Sequence, residues 1–110
     1  MLFSWDDWNT EHIAAHGVTR AESEHVVRNA AVPFPRDVGG EKFSVWGQTP
    51  AGRYLQVIFT YRESDEVDFG SLTLEQLMAV SDGVETEILY VVHAMTLPPK
   101  LLTQYRRLRR

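Results

Sequence analysis

The residues best suited to chemistry are histidines, and two of them stand four positions apart. His12 and His16 would project from one side of a helix, so both imidazoles could face one cation, with Glu11 beside them in the chain. A zinc site needs a further ligand, and the sequence shows no evident one. We therefore expect these histidines, with Asn9, to pack the first helix and hydrogen-bond loop backbone, and we predict no metal site.

His93 and Arg62 are the other candidates, and each ends an apolar run. An imidazole changes charge near neutral pH, so His93 is a candidate acid or base. A guanidinium binds anions through paired hydrogen bonds, so Arg62 is a candidate anion-binding residue. The structural alternatives are a histidine with satisfied hydrogen bonds at a strand end and an arginine that keeps a sheet edge soluble. The residue types alone leave both alternatives open.

A predicted β-hairpin over residues 43–62 would position Arg62. Two runs rich in aromatic and β-branched residues flank Thr49-Pro50-Ala51-Gly52-Arg53, which has the proline and glycine of a turn. Alternation predicts a continuous apolar face made of Phe43, Val45, Leu55, Val57 and Phe59. The opposite face is mixed, which is where a ligand could bind, and it carries Ser44, Trp46, Gln48, Tyr54, Gln56, Ile58, Thr60 and Arg62.

Helices and one further strand surround this hairpin in the predicted fold. Residues 7–16 and 20–29 have helical periodicity, and Thr19 with Glu22 has capping-box spacing. Prolines favour a loop over residues 32–37. Thr73 with Gln76 again has capping-box spacing, so a short helix is expected after Thr73, with Leu74, Leu77 and Met78 on its apolar face. Residues 88–94 predict a well-covered strand, followed by a final helix from Pro98. We expect an α+β fold in the order α-α-β-β-(α)-β-α, with an antiparallel three- to four-stranded sheet and helices packed on one face.

Composition limits the classes of protein that fit. The chain has 110 residues and no cysteine, which suits one domain over residues 1–110 and excludes disulfides and thiolate metal sites. No apolar run reaches the length of a membrane span and the start lacks a secretion signal, so we expect a cytoplasmic protein.

Residues 63–87 hold eight acidic residues and no Lys or Arg, whereas residues 100–110 hold five basic residues and no acid. Two solvated faces, or a basic phosphate-binding surface balanced by an acidic segment, would explain this segregation.

Three groups of residues resemble the BrnT family, small toxins of type II toxin–antitoxin pairs. The resemblance covers most of the chain except an acidic insertion at about residues 63–87, where the family usually has a short turn. The motifs are Trp5-Asp6-Asp7-Trp8-Asn9 with His12-Ile13 and His16-Gly17-Val18, the hairpin residues Gly47-x-Thr49-x-x-Gly52-Arg53-x-Leu55 with Phe59-Thr60-x-Arg62, and His93-Ala94 before a basic helix.

The resemblance implies a RelE-like fold, metal-independent cleavage of RNA without a cofactor, and an antitoxin partner that also binds operator DNA. Such cleavage needs a base, a cation at the phosphate and a proton donor. The candidates for these catalytic roles are His93, Arg62, Lys42 and Tyr105, and the candidates for RNA binding are Arg53, Trp46, Lys100, Arg106 and Arg107. Of the tryptophans, Trp5 and Trp8 are expected in the core, and only Trp46 is expected to stack on RNA bases.

This chain departs from the family at positions that bear on activity. Lys42 stands where the family usually has arginine, which keeps the charge but loses the bidentate fork. Met95 replaces an arginine after the third strand, and Leu101-Leu102 replace a Glu-Arg pair in the last helix. A second hypothesis follows, in which the chain is a catalytically silent interaction domain of the same fold. Its partner would be another protein or a second copy in a homodimer.

Overall fold

The computed structural model describes residues 1–63, 70, 72–81 and 87–109 of the chain. Within those residues, strands and helices follow one another in the order β1-α1-α2-β2-β3-β4-α3-β5-α4. Their bounds are β1 Leu2–Ser4, α1 Asp7–Ala14, α2 Arg20–Arg28, β2 Arg36–Gly39, β3 Lys42–Gln48, β4 Tyr54–Arg62, α3 Leu74–Ser81, β5 Ile88–Thr96 and α4 Pro99–Leu108. None of these described helices is long and apolar enough to cross a bilayer.

The strands form one mixed sheet in the order β1-β5-β4-β3-β2. The α+β class is confirmed, but the predicted three- to four-stranded antiparallel sheet is wrong in two respects. The sheet has five strands, and β1 pairs with β5 in parallel. β1 has only three residues, and β2 is exposed at every position. Neither segment shows the alternating apolar pattern by which a strand is predicted. Each becomes a strand because it pairs with the strand beside it.

The predicted hairpin of β3 and β4 is confirmed, with Phe43 opposite Phe59 and Gly47 opposite Leu55. Directly opposed residues of antiparallel strands project to the same side of the sheet, so the register assigns each side chain to a face. The Val57 face consists of Phe43, Val45, Gly47, Leu55, Val57, Phe59, Tyr61, Leu89, Val91, Ala94 and Thr96. The Arg62 face consists of Lys42, Ser44, Trp46, Gln48, Tyr54, Gln56, Ile58, Thr60, Arg62, Ile88, Tyr90, His93 and Met95.

The main core lies on the Val57 face, which α1 and α2 cover through Ile13, Val26 and Val27. A Cβ atom on Gly47 would lie 3.1 Å from a methyl group of Val26, so glycine permits this close approach of α2 to β3.

α4 does not share this position with α1 and α2. Its Tyr105 contacts the rings of Phe34 and Tyr54, and Tyr54 belongs to the Arg62 face. The expectation that all helices pack on one face is therefore wrong for α4, whose half-buried leucines fold onto the end of the sheet near the hairpin turn.

Side-chain caps begin three of the helices. The capping boxes predicted at Thr19 and Thr73 are confirmed, and Asp6 forms a further one with Asn9. In α3 the predicted apolar stripe is wrong at Leu74 and Met78, which are exposed. The contact with the sheet is made by Leu72 and Leu77, which join Leu2 and Ile88 in a second small cluster. The rest of the predicted acidic insertion, residues 64–69, 71 and 82–86, lies outside the described residues.

We expect Asn9→Ala to destabilise the fold. Asn9 is fully buried, donates to the carbonyl of Ser4 and accepts from the amide of Asp6, so its loss leaves the buried Ser4 carbonyl and the partly buried Asp6 amide without these partners. The expected decrease in the free energy of unfolding is about 2 kcal/mol. Asn29→Ala, the same change at an exposed position, is the control and should alter it by less than about 0.5 kcal/mol. Urea unfolding followed by tryptophan fluorescence measures both, and equal effects would contradict the assigned role of Asn9.

Candidate functional site

The strand register brings three of the predicted site residues to one face of the sheet. Lys42 lies opposite Thr60, and Thr60 lies opposite Tyr90 in the next strand. Two residues before Thr60 on β4, Ile58 lies opposite His93. Two residues after Thr60, Arg62 ends the row of β4 side chains on this face. Arg62 is four residues from Ile58, a distance of about 13 Å along the strand. The Arg62 face therefore carries two cations and an imidazole within the span of a short oligonucleotide.

Arg62 is held in place by the ring of Tyr90. Its guanidinium carbon lies 3.8 Å from the ring centroid, and the Tyr90 hydroxyl lies 3.0 Å from each carboxylate oxygen of Asp6. Burial and the hydrogen bond to Asp6 raise the pKa of Tyr90 to about 12. Because Asp6 also caps α1, these contacts connect the cation on β4 to the start of that helix.

Trp8 is the exposed aromatic residue at this site. Its ring stacks on His12 with centroids 4.8 Å apart and an interplanar angle of 8°, and it lies 6.5 Å from the ring of Tyr90. The expectation of core packing is confirmed for Trp5, which is 6% exposed, but is wrong for Trp8, which is 57% exposed. Trp8 lies on the side of α1 that faces Tyr90, whereas Ile13 takes the core side. A line of ring contacts thus runs from Arg62 through Tyr90 and Trp8 to His12.

Three of the four histidines meet at the other end of that line. The Nδ1 atom of His93 lies 3.3 Å from the Nε2 atom of His12. The centroid of His16 is 4.9 Å from that of His93 and 6.0 Å from that of His12. Burial lowers the pKa of His93, and the nearby charges of His16 and His12 lower it further by smaller amounts. Its neutral form, which can accept a proton or bind a metal, is therefore favoured.

The sequence pattern alone did not reveal this cluster. The spacing of His12 and His16 indicated that both could face one ligand, but the missing third group is His93, which is 77 positions beyond His16 in the chain. It arrives there because α1 packs beside β5. In the part of the chain that the structure describes, the three imidazoles offer ligand atoms that all lie within 4.8 Å of one another.

Arg53 holds this arrangement together instead of pointing into solvent. Its guanidinium donates to the carbonyl oxygens of Gly17 at 2.6 Å and His16 at 3.2 Å. It also donates to the hydroxyl of Thr96 at the end of β5. His16 and Gly17 follow directly after α1, so the guanidinium also lies close to the C-terminal end of that helix, where a cation is favoured by the helix dipole. Arg53 thus fastens the end of α1 to β5, and its predicted role in RNA binding stays a prediction.

Trp46 and Tyr105 lie away from His93, at the hairpin end of the same face. Trp46 is 8% exposed, contacts Phe34 and donates from its indole nitrogen to Gln56. Burial does not favour Trp46 as a base-stacking residue. Tyr105 contacts Phe34 and Tyr54, and Tyr54 is four residues from Ile58, the residue opposite His93. The structure therefore does not bring Tyr105 to the imidazole that it was predicted to assist.

Further basic side chains surround the hairpin end of the Arg62 face. Arg36, which the sequence patterns did not single out, lies opposite Ser44 with its guanidinium 5.3 Å from the ring centroid of Phe34. Arg106 of α4 approaches the ring of Tyr54, and its neighbours Lys100 and Arg107 are exposed on the same helix. The Arg62 face thus carries Lys42, Arg62 and Arg36, with Arg106 beside Tyr54, although the net charge of the chain is −4.

The arrangement has the groups for two kinds of chemistry. A neutral imidazole can take a proton from a hydroxyl group and a second imidazole can give one to a leaving oxygen, while cations elsewhere on the same face attract phosphate. The same imidazole nitrogens can bind a metal ion.

Comparison of the chain with protein-family models, curated proteins and solved structures finds no match. The resemblance to the BrnT family therefore rests on the sequence motifs, and the RelE-like fold stays a prediction.

The contact between Tyr90 and Asp6 should be visible in an alkaline titration. We expect the absorbance of the phenolate band to show one tyrosine that titrates near pH 12, and Tyr90→Phe to remove that step. Because the folded state raises the pKa, the stabilisation from Tyr90 is complete below the ordinary pKa of 10 and is lost as the pH rises toward 12. Retention of the highest step in Tyr90→Phe would contradict the assignment.

Arg53→Lys tests whether this arginine is a structural fastener. Lysine keeps the charge but cannot reach two carbonyl oxygens and a hydroxyl together, so we expect a loss of about 1–2 kcal/mol in the free energy of unfolding. Arg107→Lys, on the exposed side of α4, is the matched control and should change stability by less than about 0.5 kcal/mol. Thermal or urea unfolding of both variants gives the comparison. A stability for Arg53→Lys equal to that of the control would show that the carbonyl contacts contribute nothing.

Proposed function

We propose that this chain is a BrnT-like toxin component that binds RNA on the Arg62 face and cleaves it without a metal. The observation that carries the proposal is the placement of Arg62 and His93 on one face of the sheet, with exposed Trp8 between them. Had the register placed the guanidinium and the imidazole on opposite faces, they could not contact one RNA strand.

RNA binding would use charge and stacking together. Arg62 and Lys42 supply cations for two phosphates, and Arg36 continues the basic surface toward the hairpin end. Trp8 presents a large exposed ring on which a base can stack, a role that the sequence motifs assigned to Trp46. An antitoxin that neutralises this protein would cover the same basic face, and acidic side chains would suit it for that purpose.

Cleavage would proceed through the 2′-hydroxyl of the RNA. His93 takes the proton of that hydroxyl, the oxygen forms a bond to the adjacent phosphorus, and the bond from phosphorus to the 5′ oxygen breaks. A neighbouring protonated imidazole, His12 or His16, gives the leaving oxygen its proton, which leaves a cyclic phosphate and a 5′-hydroxyl. Arg62 binds another phosphate of the same strand and so holds the RNA across the histidine cluster. Tyr105 has no part in this route.

The salt dependence of RNA binding tests the assigned surface. For a single strand, each lost phosphate contact should change the slope of log affinity against log salt by about 0.7. We expect this change for Arg62→Ala and for Lys42→Ala. Arg28→Ala, an equal loss of charge on α2 beside Phe3, is the control and should leave the slope unaltered. Equal slopes for all three variants would reject the Arg62 face as the RNA-binding surface.

Cleavage is tested separately, in the presence of a chelator. We expect the wild-type chain to produce cyclic phosphate ends, and His93→Gln to bind RNA with unchanged salt slope but to lose at least about a hundredfold in cleavage rate. Induced expression in a host without an antitoxin should arrest growth, and His93→Gln should relieve the arrest. Unchanged growth and no cleavage at good soluble expression would instead support the silent interaction domain.

A further inference from the structure

We propose that His12, His16 and His93 form a binding site for a divalent transition metal ion, with zinc as the reference ion. The site would have three imidazole ligands from α1 and β5 and one open position for water or another ligand. This proposal does not rest on the proposed function, because binding can be measured on the chain alone. The sequence spacing indicated only two of these ligands, His12 and His16, and the fold adds His93 as the third.

The distance between two of the ligand atoms already fits a tetrahedral ion. Zinc binds imidazole nitrogen at about 2.0–2.1 Å, so two ligands at the tetrahedral angle lie about 3.3–3.4 Å apart. The separation of His93 Nδ1 and His12 Nε2 is 3.3 Å. Both imidazoles are half-buried, so their orientation is set by packing.

His16 completes the set by a small movement. Its ligand atom lies within 4.8 Å of the other two, and its side chain is exposed, so rotation about its side-chain bonds can bring the nitrogen to the ion. The backbone of His16 is already placed, because Arg53 donates to its carbonyl oxygen and to that of Gly17. Arg53 is therefore a positioning residue for the site.

The surroundings favour a metal over an ordinary packing role for the cluster. Among the described residues, the only polar side-chain contact of these three histidines is the one between His93 and His12. No carboxylate forms an ion pair with any of them there, so protonation would bring together uncompensated charges. A divalent ion would satisfy three lone pairs at once. Imidazole nitrogen is a ligand for zinc, cobalt, nickel and copper, whereas magnesium and calcium prefer oxygen.

Metal titration of the purified chain tests the proposal, after removal of any affinity tag that contains histidine. We expect one equivalent of Co²⁺ to bind and to give the strong visible absorption of a four-coordinate site, and Zn²⁺ to displace it. Mg²⁺ should not compete. Zn²⁺ should also raise the melting temperature, because an ion that joins α1 to β5 binds only the folded state.

The fourth histidine provides a matched control. His25 lies on α2 and contacts Asn29, away from the cluster. We expect His12→Gln, His16→Gln and His93→Gln each to weaken Zn²⁺ binding about a hundredfold and to abolish the rise in melting temperature, whereas His25→Gln retains both.

Two outcomes would overturn the proposal. One is a wild-type chain that binds no Zn²⁺ at millimolar concentration, and the other is equal binding by His93→Gln and His25→Gln. If a cluster variant does not fold, the imidazole resonances of the wild-type chain answer the same question, since Zn²⁺ must shift those of His12, His16 and His93 and leave His25 unchanged. A shift of His25 alone would also reject the site.

Discussion

The position of α1 against β5 is the constraint on which the candidate site depends. Three sets of contacts hold the helix there: Asn9 and Asp6 at its start, Ile13 in the core, and Arg53 on the carbonyl oxygens of the two residues that follow its C-cap. Because these contacts act at both ends and in the middle, they determine which way α1 faces. The helix then presents its indole and imidazoles to the same side as Arg62.

One face of the sheet consequently brings together basic side chains and imidazoles that are far apart in the sequence. The register of β4 and β5 sets Arg62 near Tyr90 and Ile58 opposite His93. The basic side chains named above are spread over β2, β3, β4 and α4, in a chain whose net charge is negative. Local charge on a surface, and not the total, determines which ligand a protein attracts.

The two roles proposed for His93 exclude each other at any one moment. A nitrogen lone pair that binds a metal ion cannot accept the proton of a hydroxyl, so an occupied site would not cleave RNA by the proposed route. The proposed metal binding and the proposed RNA cleavage are therefore mutually exclusive at this cluster. His16 is exposed, and His12 and His93 are half-buried, so solvent reaches the cluster from the side of His16.

The sequence by itself determined the elements whose causes are local. The capping boxes at Thr19 and Thr73 and the turn before Arg53 depend on residues within a few positions of one another, and alternation alone assigned Arg62 to the mixed face of the hairpin. Only the tertiary structure decided that β1 and β2 are strands and that Trp8 is exposed while Trp46 is buried. It also decided that His93 joins His12 and His16. These features depend on contacts between segments far apart in the chain, and periodicity within one segment carries no record of what another segment will bring beside it.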